Sequence, residues 1–418
     1  MTDYFRFVAL HWRFLLFGVL AAALSGFGQT FYVGVFGGEL RAAFDLTHGQ
    51  YGLLYSLATL SSGILMVSAG AWIDRMSLQR FAVLVGVGVA AGALVTGLAA
   101  SALMLGVGFF LLRLFGQGLF MHMASTSMGR YFEVNRGKAV SIASKGLPLA
   151  EAVMPAAGVA LIALIGWRHT WLTSAVAMLV FFIPLLLWLL HGRGGARGED
   201  MSASTGSAHP AGVPASPRQW SRSEVLRDLR FYRLLPVVLA PPLIVTAMIF
   251  HLAHLGEGKG WSLHWLASTF TGFALAHVAG LLVSGVVLDR YGPRLMLRVF
   301  LLPMLIGLLV VAWLDHPLWA WVFMVCLGAS IGGAGTLLGA LWPVLYGVAH
   351  LGAIRAMVHS AMMISTAIMP VTVGLALDAS ATMESVALVL SGYIVVALVV
   401  SWGALNGSAG SNERDRWQ

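Results

Sequence analysis

Three ionisable side chains, Arg113, Glu151 and His277, lie deep inside long apolar stretches of the sequence. A charge near the centre of a bilayer costs about 2.5–3.5 kcal/mol or more, so such residues face a bundle interior and mark function by default. The planar, permanently charged guanidinium of Arg113 suits a carboxylate or a phosphate. Glu151 is the only acidic residue well inside an apolar stretch, and it could take up and release a proton. Because imidazole titrates near neutral pH, His277 could couple protons or donate to a substrate.

Each of these assignments has an ordinary alternative. Glu151 could form a permanent structural pair with Arg113 or with Lys145, and a lone histidine in an apolar helix is more often a packing residue. Gln117 lies about one turn after Arg113 and shares its helix face. A second set of polar side chains could contact a substrate in a cavity, although packing in the cavity wall is the commoner role. This set comprises Gln29, Tyr32, Tyr55, Thr59 and His359.

The elements that must position these residues are membrane helices. Of the 418 residues, 59% are hydrophobic and only 10% are charged, whereas a soluble domain carries roughly 25% charged residues. This composition excludes soluble, disordered and fibrous proteins. It predicts an all-α membrane protein with twelve spans, because apolar stretches of about 20 residues cross a bilayer. The predicted spans are 12–36, 51–72, 80–101, 104–126, 139–164, 169–190, 234–254, 264–288, 296–314, 317–342, 356–377 and 384–405.

The basic residues orient these spans. With the N-terminus in the cytoplasm, 20 of the 25 Lys and Arg residues fall on cytoplasmic segments and three fall in outer loops, Arg41, Arg168 and Lys259. This bias predicts that both termini are cytoplasmic. It also explains the net charge of +8 without a nucleic-acid partner. The sequence holds no nucleophile–base arrangement, metal motif or ATP-binding motif, so we expect neither an enzyme nor a cofactor.

A polar stretch rich in Gly, Ala, Ser, Pro and Arg, residues 191–220, divides the spans six and six. Its composition is typical of a flexible linker. We predict an N-terminal half over 1–190 and a linker over 191–233, ending in a short amphipathic helix that lies along the inner membrane surface. A C-terminal half over 234–406 and a cytoplasmic tail over 407–418 follow.

The two halves carry an internal repeat. The second span ends in a glycine followed four residues later by an Asp-Arg pair, and the eighth span ends in the same motif 215 residues further on. The residues are Gly70, Asp74 and Arg75, then Gly285, Asp289 and Arg290. Pro155 and Pro370 have the same separation. Two copies of a six-helix unit predict a substrate site between the halves, near the bilayer midplane.

This repeated loop motif resembles the signature of the major facilitator superfamily of secondary transporters. The first copy, residues 70–80, lacks the family's usual glycine after the Asp-Arg pair, and the second copy spans 285–294. In the fourth span, Arg113-Leu-Phe-Gly-Gln117-Gly118 is similar to the family's Arg-x-x-Gln-Gly pattern, with one extra residue. The resemblance implies two pseudo-symmetric six-helix halves, alternating access and a monomer. It also implies a conformational latch formed by Asp74, Arg75, Arg80, Asp289, Arg290 and Arg294, with ordinary helix-end charge pairs as the alternative.

Two further segments look like those of bacterial relatives of monocarboxylate and oxalate carriers. These are the loop from Tyr346 to Arg355 and the run from Pro370 to Asp378. Where those carriers place an arginine in the eighth span, this chain has His277. We therefore expect a transporter of a bacterial inner membrane that moves a small organic anion, with a monocarboxylate as the first choice and protons as candidate coupling ions. The alternative is an efflux carrier for amphipathic, drug-like compounds.

Overall fold

The computed structural model describes residues 2–132, 135–191, 219–347 and 350–404. Within these ranges every regular element is helical, as the composition predicts. The chain forms two compact units, Met1–Gly206 and Ser207–Gln418, and their boundary falls inside the predicted linker. Most of the 191–220 stretch and the whole 407–418 tail lie outside the described residues.

The first unit contains eleven α-helices among its described residues. Short 3-10 turns follow the first and second of them, at Ser25–Gly28 and Gly34–Phe36, and π-helical segments lie at Leu112–Phe120 and Met178–Phe182. The helices are α1 (Thr2–Leu24), α2 (Thr30–Val33), α3 (Gly37–Phe44), α4 (His48–Ala69), α5 (Trp72–Arg75), α6 (Leu78–Gly97), α7 (Ala102–Leu111), α8 (Met121–Tyr131), α9 (Arg136–Ser144), α10 (Gly146–Ala177) and α11 (Ile183–Leu189).

The second unit contains eight α-helices in the part of the chain that the structure describes. Three prolines lie within the helix of the seventh span, at Pro236, Pro241 and Pro242. The helices are α12 (Arg222–Val225), α13 (Leu229–Phe250), α14 (Leu252–Lys259), α15 (Leu263–Val299), α16 (Leu302–Trp313), α17 (Leu318–Tyr346), α18 (Leu351–Asp378) and α19 (Met383–Trp402).

The helical segments account for twelve spans. Ten described segments are long and apolar enough to cross a membrane, and two of them, Arg136–Leu189 and Leu263–Trp313, have 54 and 51 residues. At 1.5 Å per residue each would measure about 80 Å, more than twice the hydrocarbon thickness. Each contains a glycine with a positive φ of 75°, Gly166 in the first and Gly292 in the second, a conformation that glycine adopts without steric cost. Division at these glycines turns ten segments into the twelve predicted spans.

The first span differs from the prediction in its shape. It starts at Thr2 rather than near residue 12, and it is not one continuous helix through residue 36. The 3-10 turn Ser25–Gly28 ends α1, and Gln29 is extended, with φ −82° and ψ 151°. Glycines at positions 26 and 28 lower the cost of leaving the helix here, and hydrophobic periodicity carries no signal for such a break.

In the second unit the closest helix packing joins α15 to α17. A methyl group added to Gly328 would lie 2.1 Å from the Phe273 carbonyl oxygen, and one added to Gly332 would lie 2.2 Å from that of His277. Small residues allow two membrane helices to approach at backbone distance. The eighth and tenth spans are therefore in close backbone contact at the level of His277.

Candidate functional site

The interruption of the first span packs directly against the π-helical segment of the fourth span. A methyl group on Gly28 would lie 2.1 Å from the Leu112 carbonyl oxygen and 2.5 Å from the Gln117 amide nitrogen. One on Gly116 would lie 2.8 Å from the Gly28 nitrogen. The two irregular segments approach to backbone distance, which their glycines allow. Single-turn π-bulges occur frequently at functional sites.

Arg113 lies in this π-helical segment and is 3% exposed. Its Nη1 donates to the Gly28 carbonyl oxygen at 3.2 Å and to the Tyr55 hydroxyl at 3.0 Å. The guanidinium also lies over the Tyr55 ring, 5.0 Å from the centroid. Its Nε has no hydrogen-bond partner. Every hydrogen bond that Arg113 makes to the described residues therefore goes to a neutral group, and the buried Nε donor remains unused.

Tyr55 joins the second span to this arrangement. Its side chain is fully buried, its ring packs edge-on against Phe109 at 5.7 Å, and its hydroxyl lies 3.0 Å from the Thr30 hydroxyl. Thr30 is the first residue after the interruption of the first span. Tyr55 thus contacts the fourth span through Arg113 and the first span through Thr30.

Glu151 lies on α10 and is 6% exposed, with polar contacts of its own. Beside it, Ala150 and Met154 pack against the interruption, since a methyl group on Gly26 would lie 3.1 Å and 2.4 Å from their side-chain atoms. Arg113 and Glu151 therefore belong to two spans that both pack against residues 25–28. The structure places no ion pair between these two described residues.

The remaining predicted contacts of the first unit have mostly local roles. Tyr32 packs edge-on against Phe27, Phe36 and Trp171 and is buried. The Thr59 hydroxyl donates to the Tyr55 carbonyl oxygen at 2.8 Å, within its own helix. Gln29 and Gln117 are half-buried beside the interruption. Lys145, predicted inside the membrane, is exposed at the junction of α9 and α10.

Two predicted residues belong to the second unit. His277 is half-buried on α15, and its ring lies edge-on to Phe273 at 6.2 Å. His277 also makes further contacts. His359 is exposed on α18. The structure therefore groups Arg113 with Tyr55 inside one unit and describes His277 and His359 within the other.

The first copy of the loop motif is held by the fourth span. Asp74 forms a salt bridge with Arg130, a residue of α8 that the predicted latch did not include. Four residues before Asp74, the Gly70 carbonyl oxygen lies 3.1 Å from His122 Nε2. Both contacts fix the end of the second span to the end of the fourth. The other two residues of this copy, Arg75 and Arg80, are exposed.

The second copy is arranged differently. Asp289 is exposed and forms no ion pair with a described residue, while Arg290 lies over the Tyr291 ring at 5.5 Å. Arg294 is half-buried and has contacts of its own. The position 215 residues after Arg130 is Leu345. The second unit therefore has no cation at the position equivalent to Arg130. The sequence repeat is therefore not matched by a repeated salt bridge.

Sequence reasoning missed three residues of these contacts: Gly28, Thr30 and Arg130. The glycines at positions 26 and 28 were a usable signal for an interrupted helix, since glycine weakens a helix interior. Arg130 carried no signal beyond being a basic residue near a cytoplasmic span end. Its contact with Asp74 bridges 56 residues of chain and depends on how the spans pack.

Two compact helical units, each with candidate membrane spans and with buried charge in the first, define a polytopic membrane protein. The chain belongs to the Major Facilitator Superfamily, which matches it over residues 18–370. It is thus a multi-pass secondary transporter rather than an enzyme. The finer resemblance to monocarboxylate and oxalate carriers stays a prediction. No curated protein matches the chain by sequence.

Solved structures agree with the family assignment at the level of the fold. The chain is similar to the crystal structure of a bacterial homolog of the human lysosomal transporter Spinster in an inward-facing, unoccupied conformation. The TM-score is 0.73 at 17% identity, covering 98% of this chain and 100% of that one. The inward-facing, occupied conformation of that homolog gives a TM-score of 0.66 at 17% identity, covering 97% and 98%. At this identity the similarity establishes the fold alone.

Proposed function

We propose that this transporter moves a small organic anion, a monocarboxylate by preference, and that Arg113 binds its anionic group. The observation that carries the proposal is the buried guanidinium whose partners are a backbone carbonyl and a phenol, with its buried Nε donor unused. A buried cation that is balanced only by neutral acceptors favours an anion at its free side, because burial of unpaired charge is costly. The planar fork of arginine suits a carboxylate.

Alternating access supplies the transport mechanism in this proposal. The two six-span halves would expose the site to each side of the membrane in turn, with the loop-motif residues acting as a latch on the cytoplasmic side. Glu151 is the proposed proton carrier, because it is the buried acid nearest in the fold to the interruption that Arg113 contacts. A bacterial inner membrane, cytoplasmic termini and a monomer complete the proposal.

The experiment is a thermal-shift screen of the purified protein against small carboxylates, inorganic anions and amphipathic cations. A ligand that binds the folded state raises its apparent stability. We expect a carboxylate to stabilise the wild type, and Arg113→Gln to lose that response. Lys138→Gln is the matched control, because it removes one exposed cation of the same unit and should respond as the wild type does.

Arg113→Lys is a second variant that distinguishes loss of binding from misfolding, because it keeps the positive charge and loses the planar guanidinium. We expect it to retain a weakened carboxylate response. Stabilisation by amphipathic cations alone, or an equal carboxylate response in Arg113→Gln, would replace the organic-anion assignment by the efflux carrier for amphipathic compounds.

A further inference from the structure

The segment that enters the seventh span carries an exposed surface of mixed character. Its arginines Arg222, Arg227 and Arg233 are exposed, and so are three apolar side chains between them: Leu226 at 42%, Leu229 at 61% and Tyr232 at 48%. We call these six residues the basic interfacial patch. The Tyr232 hydroxyl donates to the Leu226 carbonyl oxygen at 2.9 Å, which folds the turn of residues 226–228 onto the start of α13 and brings the apolar members together.

The acidic residues of the same segment are turned to other partners. Glu224 Oε2 accepts hydrogen bonds from the Ser221 amide at 2.7 Å and the Ser221 hydroxyl at 2.8 Å. Asp228 accepts from the Arg230 amide and side chain at 3.0 Å. By contrast, the three arginines of the patch form no ion pair with a described residue. The exposed charge of this surface is therefore positive.

The patch is held in a fixed position by the end of α17. The Trp220 amide donates to the Tyr346 carbonyl oxygen at 3.0 Å, and the Tyr346 hydroxyl donates to Asp228 at 3.2 Å. The Trp220 and Tyr346 rings pack edge to face at 5.5 Å. These contacts anchor both sides of the short helix α12 to the tenth span. The arginines are thus presented by an ordered segment of the second unit.

Within α13, exposed residues occur only between Leu229 and Arg233. From Leu234 to Phe250 no residue of α13 is exposed, so the patch is not one end of a lipid-facing stripe along the seventh span. Its apolar members lie at or just before the start of that span, beside the exposed arginines. Exposed apolar side chains next to basic ones are typical of a surface that lies in the membrane interface.

We propose that the basic interfacial patch binds the headgroups of anionic glycerophospholipids in the cytoplasmic leaflet. Arg222, Arg227 and Arg233 contact the phosphates, while Leu226, Leu229 and Tyr232 enter the boundary of the acyl chains. Basic clusters that directly precede a membrane helix attract anionic lipid by charge. Since Tyr346 anchors the segment, bound lipid stabilises the cytoplasmic end of the tenth span. The proposal does not depend on the identity of the transported substrate.

The first test measures the thermal stability of the full-length protein in neutral detergent. Short-chain phosphatidylglycerol, phosphatidylcholine and inorganic phosphate are added separately. We expect phosphatidylglycerol alone to raise the Tm of the wild type, and high salt to weaken this effect because it screens exposed charges. The triple variant Arg222→Gln/Arg227→Gln/Arg233→Gln should lose about a hundredfold in affinity, since each arginine near an anionic surface contributes about fivefold.

The matched control also removes three exposed cations, Arg6, Arg136 and Lys138, all replaced by Gln. It should keep the phosphatidylglycerol response. An equal loss in the control variant would show a general charge effect, and a retained response in the patch variant would show that lipid binds elsewhere. An equal response of the wild type to inorganic phosphate would mean that the patch binds free phosphate rather than lipid. Each of these outcomes overturns the proposal.

A second measurement does not require the triple variant to fold. The chain has a single cysteine, so a Cys326→Ser background accepts a fluorophore at Leu229→Cys. In vesicles of phosphatidylcholine mixed with phosphatidylglycerol, we expect strong quenching by lipids that carry a quencher below the headgroup. Quenching should fall in vesicles of phosphatidylcholine alone. Equal quenching in both vesicles would exclude recognition of anionic lipid.

Discussion

The Arg113 guanidinium donates to the Gly28 carbonyl oxygen at 3.2 Å, which bonds the π-helical segment of the fourth span to the interruption of the first. The two residues are 85 positions apart in sequence. Under the proposed function, an anion at the free side of the guanidinium binds a group that is already hydrogen-bonded to the first span. Substrate binding and the geometry of the first span are then linked through one hydrogen bond.

Gly28→Ala should destabilise the protein and impair ligand binding. The added methyl group would lie 2.1 Å from the backbone oxygen of Leu112, and overpacking of this kind typically costs about 1–3 kcal/mol. Thermal unfolding in detergent measures the effect. Gly137→Ala is the matched control, since its methyl group meets nothing within 4 Å and alanine favours a helix by up to about 1 kcal/mol. An unchanged Tm for Gly28→Ala would contradict the close backbone contact.

Tyr55→Phe should keep the ring contacts and remove the hydroxyl that Arg113 and Thr30 share. Hydrogen bonds to charged groups contribute about 1.5–3 kcal/mol, so we expect a lower free energy of unfolding. Under the proposed function, the carboxylate affinity should change as well, because a further donor of Arg113 becomes free. Tyr4→Phe, at an exposed tyrosine, is the control and should leave both quantities unchanged. A Tyr55→Phe variant with wild-type stability and affinity would show that this hydroxyl has no role in holding Arg113.

Glu151→Gln tests the proposed proton carrier. The amide cannot release a proton at physiological pH, so the variant should lose accumulation driven by a pH gradient while keeping substrate exchange across vesicles. Both rates are measured in the same proteoliposomes, where exchange reports that the protein is folded. Normal accumulation in Glu151→Gln would exclude Glu151 as the carrier. Loss of both activities would favour a structural role.

The two copies of the loop motif should respond differently to loss of their aspartates. A double-mutant cycle of Asp74→Asn and Arg130→Gln should give a coupling energy of about 0.2–1 kcal/mol, the usual range for exposed ion pairs. The matched variant Asp289→Asn should show no coupling with the described cations of its own unit. Unfolding free energies supply the cycle, and transport rates show whether the pair also acts as a latch. A coupling energy of zero for Asp74 and Arg130 would mean that their ion pair does not contribute to stability.

The sequence by itself determined the fold class and the number of spans. Apolar stretches of about 20 residues and the small number of charges predict a bundle of membrane helices. In a helix, the backbone polar groups form their hydrogen bonds within the segment, as the lipid environment requires. The polar stretch between the sixth and seventh spans also predicted a boundary between two halves. The sequence also indicated the charges at Arg113 and Glu151, because an ionisable side chain inside a long apolar stretch is rare and costly to place in a membrane.

Only the tertiary structure decided the partners of those charges. Arg113 could have paired with Glu151 by sequence and depth, yet it bonds Gly28 and Tyr55. Likewise Asp74 pairs with Arg130 rather than with its neighbour Arg75. Hydrophobic periodicity fixes which face of a helix is buried, but it is silent on helix rotation, on breaks at glycine and on which spans become neighbours. Those quantities depend on side-chain packing between segments far apart in the chain.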